Sequence, residues 1–377
     1  MKHFDFLGMD VHIKKNKKIE ISMKKQILEA IEWFGENITH KPATPANKRL
    51  FNVNDDSEPL DENRKEIFHS VVEKLLYITK RARPDIEPAV AFLCTRVSRS
   101  SKSDWLKLKR VLGFLKNSID DVRVIGANSL QEVYTWVDAS YGVHDIDMRS
   151  HTGGCMSLGT GMIHQKSSKQ KINTKSSTES ELVATSEYVP YNVWLRNFLE
   201  EQGYKLSDNV LFQDNESSIK MENNGRRSCT GNSRHIHIRN FFIKDLIDKK
   251  RIRVVYCPTL RMVADFFTKP LQGELYRFFR NIVMGYVSIA DVISGLVENK
   301  ERVGKCDDIN RPFKYDQMLF SKYPRKESTD AKNKDIKDRT YKRTYNDSGF
   351  KNNADGTKQV RVSTNKSTYY DVLRNED

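Results

Sequence analysis

Cysteine is scarce in this chain. There are five in 377 residues (Cys94, Cys155, Cys229, Cys257 and Cys306), scattered and never spaced as a CxxC pair. That distribution excludes a zinc knuckle and a disulfide frame, and it fits a reducing compartment. Long apolar runs are missing as well. None reaches the length of a membrane span, and the basic, polar N-terminus lacks the core of a signal peptide. No membrane partner is expected, and the expected location is the cytoplasm or nucleus. No internal repeat is found. Acidic residues are in deficit: 64 Lys and Arg against 50 Asp and Glu give a net charge of +14. Such an excess favours a polyanionic partner, most often nucleic acid.

Three regions follow from the patterning. Residues 1–131 read as mostly helical. "FDFLGMDVHIKKNKKIEISM" predicts two short strands around a basic turn, and "KKQILEAIEWFGE" predicts a helix with Ile27, Leu28, Ile31 and Phe34 on one face and Gly35 as its stop. A proline-rich polar stretch, "KPATPANKRLFNVNDDSEPLDENR", reads as a linker or surface loop. Of the two helices that follow, the second places Trp105, Leu108, Leu112 and Leu115 on one face. Lys107, Lys109 and Arg110 lie off that face, and solvation is their ordinary explanation.

Residues 132–286 alternate strand and helix signals. "YTWVDASYG" reads as a half-buried strand that ends on Asp138 and then clears space with small residues. Two glycine-rich strands and a serine-rich turn lead into a long helix near Glu181–Glu200, with Thr178 as N-cap and Pro190 as a kink. Its apolar stripe reads as Ala184, Tyr188, Tyr191, Leu195, Phe198 and Leu199. Further strands are expected at "NVLFQDN" and "IRVVYC", and helices at "SSIKMENN", "HIHIRNFFIKDLIDKK" and from "VADFFTKPL". Residues 287–377 begin with an apolar patch and then turn polar and mildly basic, the composition of a disordered tail.

Four acids recur at strand ends and helix starts: Asp138, Glu181, Asp214 and Asp265. Each alone has an ordinary explanation, as a turn former or a partner of the helix dipole. Together on one sheet edge they would repel unless cations held them. Hard oxygen ligands suit Mg²⁺ or Mn²⁺. Two such ions about 3.5–4 Å apart can clamp a phosphodiester for attack by water.

At these residues the sequence resembles the ribonuclease H domain of copia-type retrotransposon polyproteins. The resemblance is carried, in order, by "WVDASYG", "HTGGCMSLGTGMIHQKSSKQKINTKSSTESELVATSE", "LFQDNESSI", "SRHIHIRNFFIKD" and "ADFFTKPL". Five ordered motifs over about 150 residues make a specific signal where one would not. Upstream, "FLGMDVHIKKNKKIEISMKKQILEAIEWFG" and "SVVEKLLYITKRARPDIEPAVAFLCTRVS" resemble the end of the family's reverse transcriptase and its connecting helices. The polymerase's paired aspartates would precede Met1, so polymerisation by this chain is not expected.

The resemblance implies an α/β fold: a ribonuclease H-like five-stranded mixed sheet with helices on both faces, preceded by a mainly helical reverse-transcriptase remnant. It implies endonucleolytic cleavage of the RNA strand of an RNA–DNA hybrid with two Mg²⁺ or Mn²⁺ ions. Should the chain function, a retroelement's virus-like particle is an expected setting. The catalytic and metal-binding acids carried over are Asp138, Glu181, Asp214 and Asp265, with Glu179 the weaker alternative to Glu181. Lys166, Lys169, Lys175, Asn215, Arg234, His235 and Arg239 are the implied hybrid contacts. The chain departs from the family pattern at His164, Pro190, His237 and Phe241, and the loop before Asp265 has no histidine. A non-catalytic relic that only binds nucleic acid is the alternative reading.

Overall fold

The computed structural model describes residues 2–225 and 234–294, with only the backbone described at 234–238 and 240. All of these residues fall within one compact unit. The chain is α/β, with two five-stranded sheets and helices.

The first sheet opens with three strands where the pattern predicted two: β1 (Lys2–Phe6), β2 (Met9–Ile13) and β3 (Ile19–Ser22). The extra strand comes from a tight turn at Leu7 and Gly8, both at positive φ, which closes β1 onto β2. The basic turn joins β2 to β3. β4 (Arg123–Ala127) and β7 (Gly159–Thr160) complete the order β1-β2-β3-β4-β7.

Between these strands lie four helices: α1 (Lys24–Phe34), α2 (Glu62–Arg81), α3 (Glu87–Cys94) and α4 (Lys102–Asn117). Gly35, at φ 74°, ends α1 in the left-handed conformation. The apolar face of α4 is buried as its spacing predicts. Its basic face is not simply solvated. Lys107 Nζ donates to the carbonyls of Leu50 (3.0 Å) and Asn52 (2.5 Å). Lys109 pairs with Glu36 at 2.7 Å, and Arg110 donates to the Thr44 carbonyl at 3.2 Å. These cations fasten residues 36–52 to the helix. That loop also buries Leu50 and Phe51, so it packs as part of the core.

The second sheet is built from β5 (Glu132–His144), β6 (Arg149–Ser157), β8 (His164–Lys169), β9 (Asp208–Gln213) and β10 (Arg253–Tyr256), in the order β10-β9-β5-β6-β8. β6 runs antiparallel to β5 and to β8, whereas β9 is parallel to β5 and β10 is parallel to β9. The sheet is therefore mixed. Between β6 and β8 the chain leaves it at Gly159 and Thr160 to pair with β4.

Helices cover both faces, and two adjacent glycines of β6 show how. Successive residues of a strand face opposite ways. A Cβ on Gly154 would meet the Tyr188 ring of α5 (Ser177–Glu201) at 2.2 Å. A Cβ on Gly153 would meet Thr268 at 2.5 Å, in α8 (Asp265–Thr268). Only glycine lets both helices lie this close.

α5 begins earlier than its pattern suggests. Ser176, not Thr178, is the N-cap, its hydroxyl accepting from the Glu179 N–H at 3.2 Å. The helix runs unbroken through the exposed Pro190. Of the predicted stripe, Ala184, Tyr188, Leu195 and Leu199 are buried, while Tyr191 and Phe198 are exposed. Leu182, Val183 and Val189 take their places in the core. α6 (Glu216–Asn224) and α7 (Arg234–Asp248) follow on either side of undescribed residues, then α9 (Gly273–Val283) and α10 (Ala290–Ile293). Among the described residues no helix is long and apolar enough to cross a membrane. Of the tail expected at 287–377, residues 287–294 are folded, with α10 and buried Ile289 and Val292, and residues 295–377 lie outside the described residues.

Candidate functional site

The second sheet brings its acids together through strand register. The parallel ladder of β5 and β9 ends at the pair Trp136 and Phe212. Two residues further on each chain come Asp138 and Asp214. Asp138 is therefore not at a strand end, as its pattern suggested, because β5 continues to His144 in its hairpin with β6. It lies just past the point where the parallel ladder stops. Asp214 leaves β9 in a turn held by Gln213, whose Oε1 accepts from the N–H groups of Asp214 (2.9 Å) and Asn215 (3.1 Å).

Glu181 enters from α5, one turn beyond the capped end. One carboxylate oxygen from each of Asp138, Glu181 and Asp214 lies within 4.8 Å of the others. Asp138 and Glu181 are buried and Asp214 is half-buried. Glu179 points elsewhere, its Oε2 accepting from the Lys175 N–H at 2.7 Å as part of the helix cap.

Asp265 opens α8 and joins the group through a cation. Lys269 Nζ lies 2.6 Å from Asp265 Oδ1 and 3.6 Å from Asp138 Oδ2. Thr268 donates its hydroxyl to Asp138 Oδ2, and Thr259 approaches Asp214 Oδ2 at 3.4 Å. Thr259 stands in the loop that lacks a histidine. The sequence reading missed Gln213, Thr259, Thr268 and Lys269. Lys269 carried a usable signal, the i,i+4 spacing from Asp265.

The electrostatics reflect crowding. Burial, with Asp138 and Asp214 adding to it, pushes Glu181 well above the usual carboxylate range. Burial and Asp138 do the same to Asp265. Burial and Asp138 raise Asp214 to about 6. Burial works against the Lys269 ammonium, but Asp138 and Asp265 outweigh it and hold the proton on more tightly than usual. Glu181 Oε2 is buried with no hydrogen-bond partner among the described residues. An unpartnered buried carboxylate oxygen facing two other acids is costly unless a cation meets it. An all-oxygen donor set of this spacing fits a hard divalent ion such as Mg²⁺ or Mn²⁺.

The implied hybrid contacts are distributed differently. Lys166 lies on the α5 face of β8 with its ammonium 5.5 Å from the Tyr191 ring centroid. Asp138 faces the other way, toward α8. Lys169 is paired with Asp147 at 2.7 Å. Lys175 is exposed just before α5. Asn215 caps α6, its side chain accepting from the Ser218 N–H at 3.0 Å. Arg239 donates to the Ser186 hydroxyl at 2.9 Å. The side chains of Arg234, His235 and His237 lie outside the described residues. His164 packs on Tyr191, ring centroids 4.5 Å apart, and hydrogen-bonds the Tyr188 hydroxyl at 3.0 Å.

No protein-family model matches the chain, and no solved structure does. Curated proteins do match. The chain is 27% identical over 286 residues to the retrovirus-related Pol polyprotein from transposon TNT 1-94 of Nicotiana tabacum, covering 74% of this chain and 21% of that protein. It is 26% identical over 231 residues to the Pol polyprotein from transposon RE2 of Arabidopsis thaliana, covering 61% and 16%. It is 23% identical over 291 residues to the Ty1-DR5 Gag-Pol polyprotein of Saccharomyces cerevisiae, covering 74% and 16%. The chain thus spans about a fifth or less of the length of these relatives. Its similarity is to a segment of the Pol polyproteins of plant and yeast retrotransposons.

Proposed function

We propose that this chain is the ribonuclease H part of a retrotransposon Pol polyprotein, cutting the RNA strand of RNA–DNA hybrids with two Mg²⁺ or Mn²⁺ ions. The single observation that carries the reading is the meeting of Asp138, Glu181 and Asp214 from β5, α5 and β9 within 4.8 Å. The mixed sheet, three antiparallel strands extended by two parallel ones, agrees with a ribonuclease H-like fold. The likeness to Pol polyproteins supplies the setting.

Each residue has a role that follows from its surroundings. Asp138, Glu181 and Asp214 hold the metal, with Asp265 completing the set beside Lys269. Bound divalent ions would acidify a water and offset charge on the phosphate under attack. Thr268 fixes the Asp138 carboxylate by hydrogen bond, and Gln213 fixes the turn that aims Asp214. Lys269 neutralises part of the acid charge, so the cluster survives before metal arrives. Lys175, exposed just before α5, is the residue we assign to a phosphate of the hybrid, whose shape and 2′-hydroxyls are the expected basis of recognition. Arg239 belongs to this function through the likeness alone, since its guanidinium is engaged with Ser186.

The test is cleavage of a labelled RNA–DNA hybrid by the purified chain with Mg²⁺ or Mn²⁺. Asp138→Asn and Asp214→Asn should each lower cleavage about 100-fold or more while hybrid binding survives. Binding without cleavage by the wild-type chain would favour the relic reading. Cleavage that persists in both variants would remove the acids from the mechanism.

A further inference from the structure

A second group of ligand-type side chains stands on the other sheet, and the proposed nuclease does not use it. In the β1–β2 hairpin His3 pairs directly with His12, and Asp5 with Asp10. Cross-strand partners share a face, as do residues two apart on one strand. His3, Asp5, Asp10 and His12 thus project from one side of the hairpin. The two imidazoles stack with centroids 4.2 Å apart and planes 18° apart. Both turn Nε2 to the same oxygen, Asp10 Oδ1, at 2.5 Å for His3 and 3.1 Å for His12. One ligand atom from each of His3, Asp10 and His12 lies within 4.8 Å of the others.

We infer that His3, Asp10 and His12 form a binding site for one transition-metal ion of the zinc class. Two nitrogens and one carboxylate oxygen already converge. Zinc–ligand bonds of about 2.0–2.1 Å in a tetrahedron set ligand atoms about 3.3 Å apart. Reaching that spacing requires the Asp10 carboxylate to withdraw from His3, where it now lies at 2.5 Å, and the stacked rings to tilt toward one point. Imidazole ligands select zinc, cobalt, nickel or copper over magnesium and calcium, which want oxygen alone. The site therefore differs in chemistry from the all-oxygen acid cluster. Asp5 shares the face but lies outside the group that converges within 4.8 Å, so water is the expected fourth ligand. The structural effect is defined too. β1 is exposed along its whole length, and among the described residues it pairs only with β2. An ion held by His3 on β1 and by Asp10 and His12 on β2 pins that edge strand to its neighbour.

The experiment uses the untagged full-length chain, stripped with chelator and kept in excess Mg²⁺. Zn²⁺ is titrated by calorimetry, and Co²⁺ is followed by its visible absorption. One equivalent should bind, with Co²⁺ bands that report nitrogen ligation. The double variant His3→Gln/His12→Gln should weaken Zn²⁺ by at least about tenfold and abolish the bands, whereas Asp138→Asn should change neither. Far-UV circular dichroism checks folding, and the near-isosteric Asp10→Asn gives the same readout should the double variant unfold. Zn²⁺ binding that is absent from the wild type, or unchanged in the histidine variant, overturns the proposal. Loss of binding in Asp138→Asn assigns the ion to the acid cluster and overturns it equally.

Discussion

Asp214 shows how a single carboxylate links the candidate chemistry to stability. Its folded form gives up its proton near pH 6, against an ordinary value of 3.8. The fold therefore favours the protonated acid over the ionised one. In chelated protein this contribution is fully present below about pH 4 and is lost as the pH rises through 6. Asp214→Asn should then stabilise the metal-free chain at pH 7–8 by about 1–3 kcal/mol and do little at pH 4. Urea midpoints in EDTA across that range check it, and a variant less stable than wild type at pH 8 would sink the argument. Added Mn²⁺ should reverse the order at pH 8, because the ion needs the carboxylate that asparagine lacks. At this scale the sequence was legible in part. Residue type with expected strand ends and helix starts singled out the four acids, although β5 runs on past Asp138, and only the resemblance preferred Glu181 to Glu179. The separation comes from the cap: Ser176 starts α5, which turns Glu179 back to the Lys175 N–H and leaves Glu181 to face Asp138. Gln213 was illegible because nothing in its neighbours foretells a side chain folded onto its own turn.

Elements place these residues, and β6 is the element on which the placement depends. Gly153 and Gly154 sit opposite Asp138 and Val137 in the hairpin. A methyl group on Gly154 would press into the Tyr188 ring from 2.2 Å, a core contact. A methyl group on Gly153 would meet Thr268 Cγ2 at 2.5 Å and the Ala264 carbonyl at 2.9 Å, which displaces the start of α8. The two alanine variants should therefore fail differently. Gly154→Ala should cost about 1–3 kcal/mol of stability from overpacking. Gly153→Ala should lower Mn²⁺ affinity by about tenfold and hybrid cleavage by more, since Thr268, Asp265 and Lys269 move together. Denaturant midpoints and Mn²⁺ titration of both variants distinguish the two outcomes. Equal metal affinity in Gly153→Ala and wild type would show that α8 does not position the acids. Strand and helix order in 132–286 was readable because periodicity is local. The sheet switch at Gly159 and Thr160 was not, since two residues carry no period and their partner β4 lies more than thirty positions away.

At the scale of the molecule, the question is why the segment before β5 stays with the mixed sheet. Two buried arginine networks tie them. Arg123, on β4, donates to the Arg81 carbonyl at 2.7 Å and to Gln165 Oε1 at 3.0 Å, as well as to the Met162 carbonyl. Asp85 is fully buried between Arg83, at 2.9 Å, and Arg280 of α9, at 2.8 Å. Burial alone would raise Asp85, but the two guanidinium groups outweigh it and hold the carboxyl at about 2. No linker-like composition marks this joint, because its members are spread over Arg83, Asp85, Arg280 and Asp121, which pairs with Arg280 at 2.5 Å, and meet only in the fold. Asp85→Asn leaves two guanidinium groups buried against a neutral amide. It should destabilise the chain by about 3–5 kcal/mol, more than the loss of one partner from an exposed pair. The sign of its pH dependence opposes that of Asp214. A carboxyl held low contributes stability above about pH 4 and loses it as the pH falls toward 2. The wild type should unfold in one cooperative step by circular dichroism and tryptophan fluorescence. Its midpoint should exceed that of Asp85→Asn at pH 7, and the gap should shrink on acidification. Coincident unfolding by both probes would show that the two sheets stand or fall together, and two separated transitions in the wild type would refute that coupling.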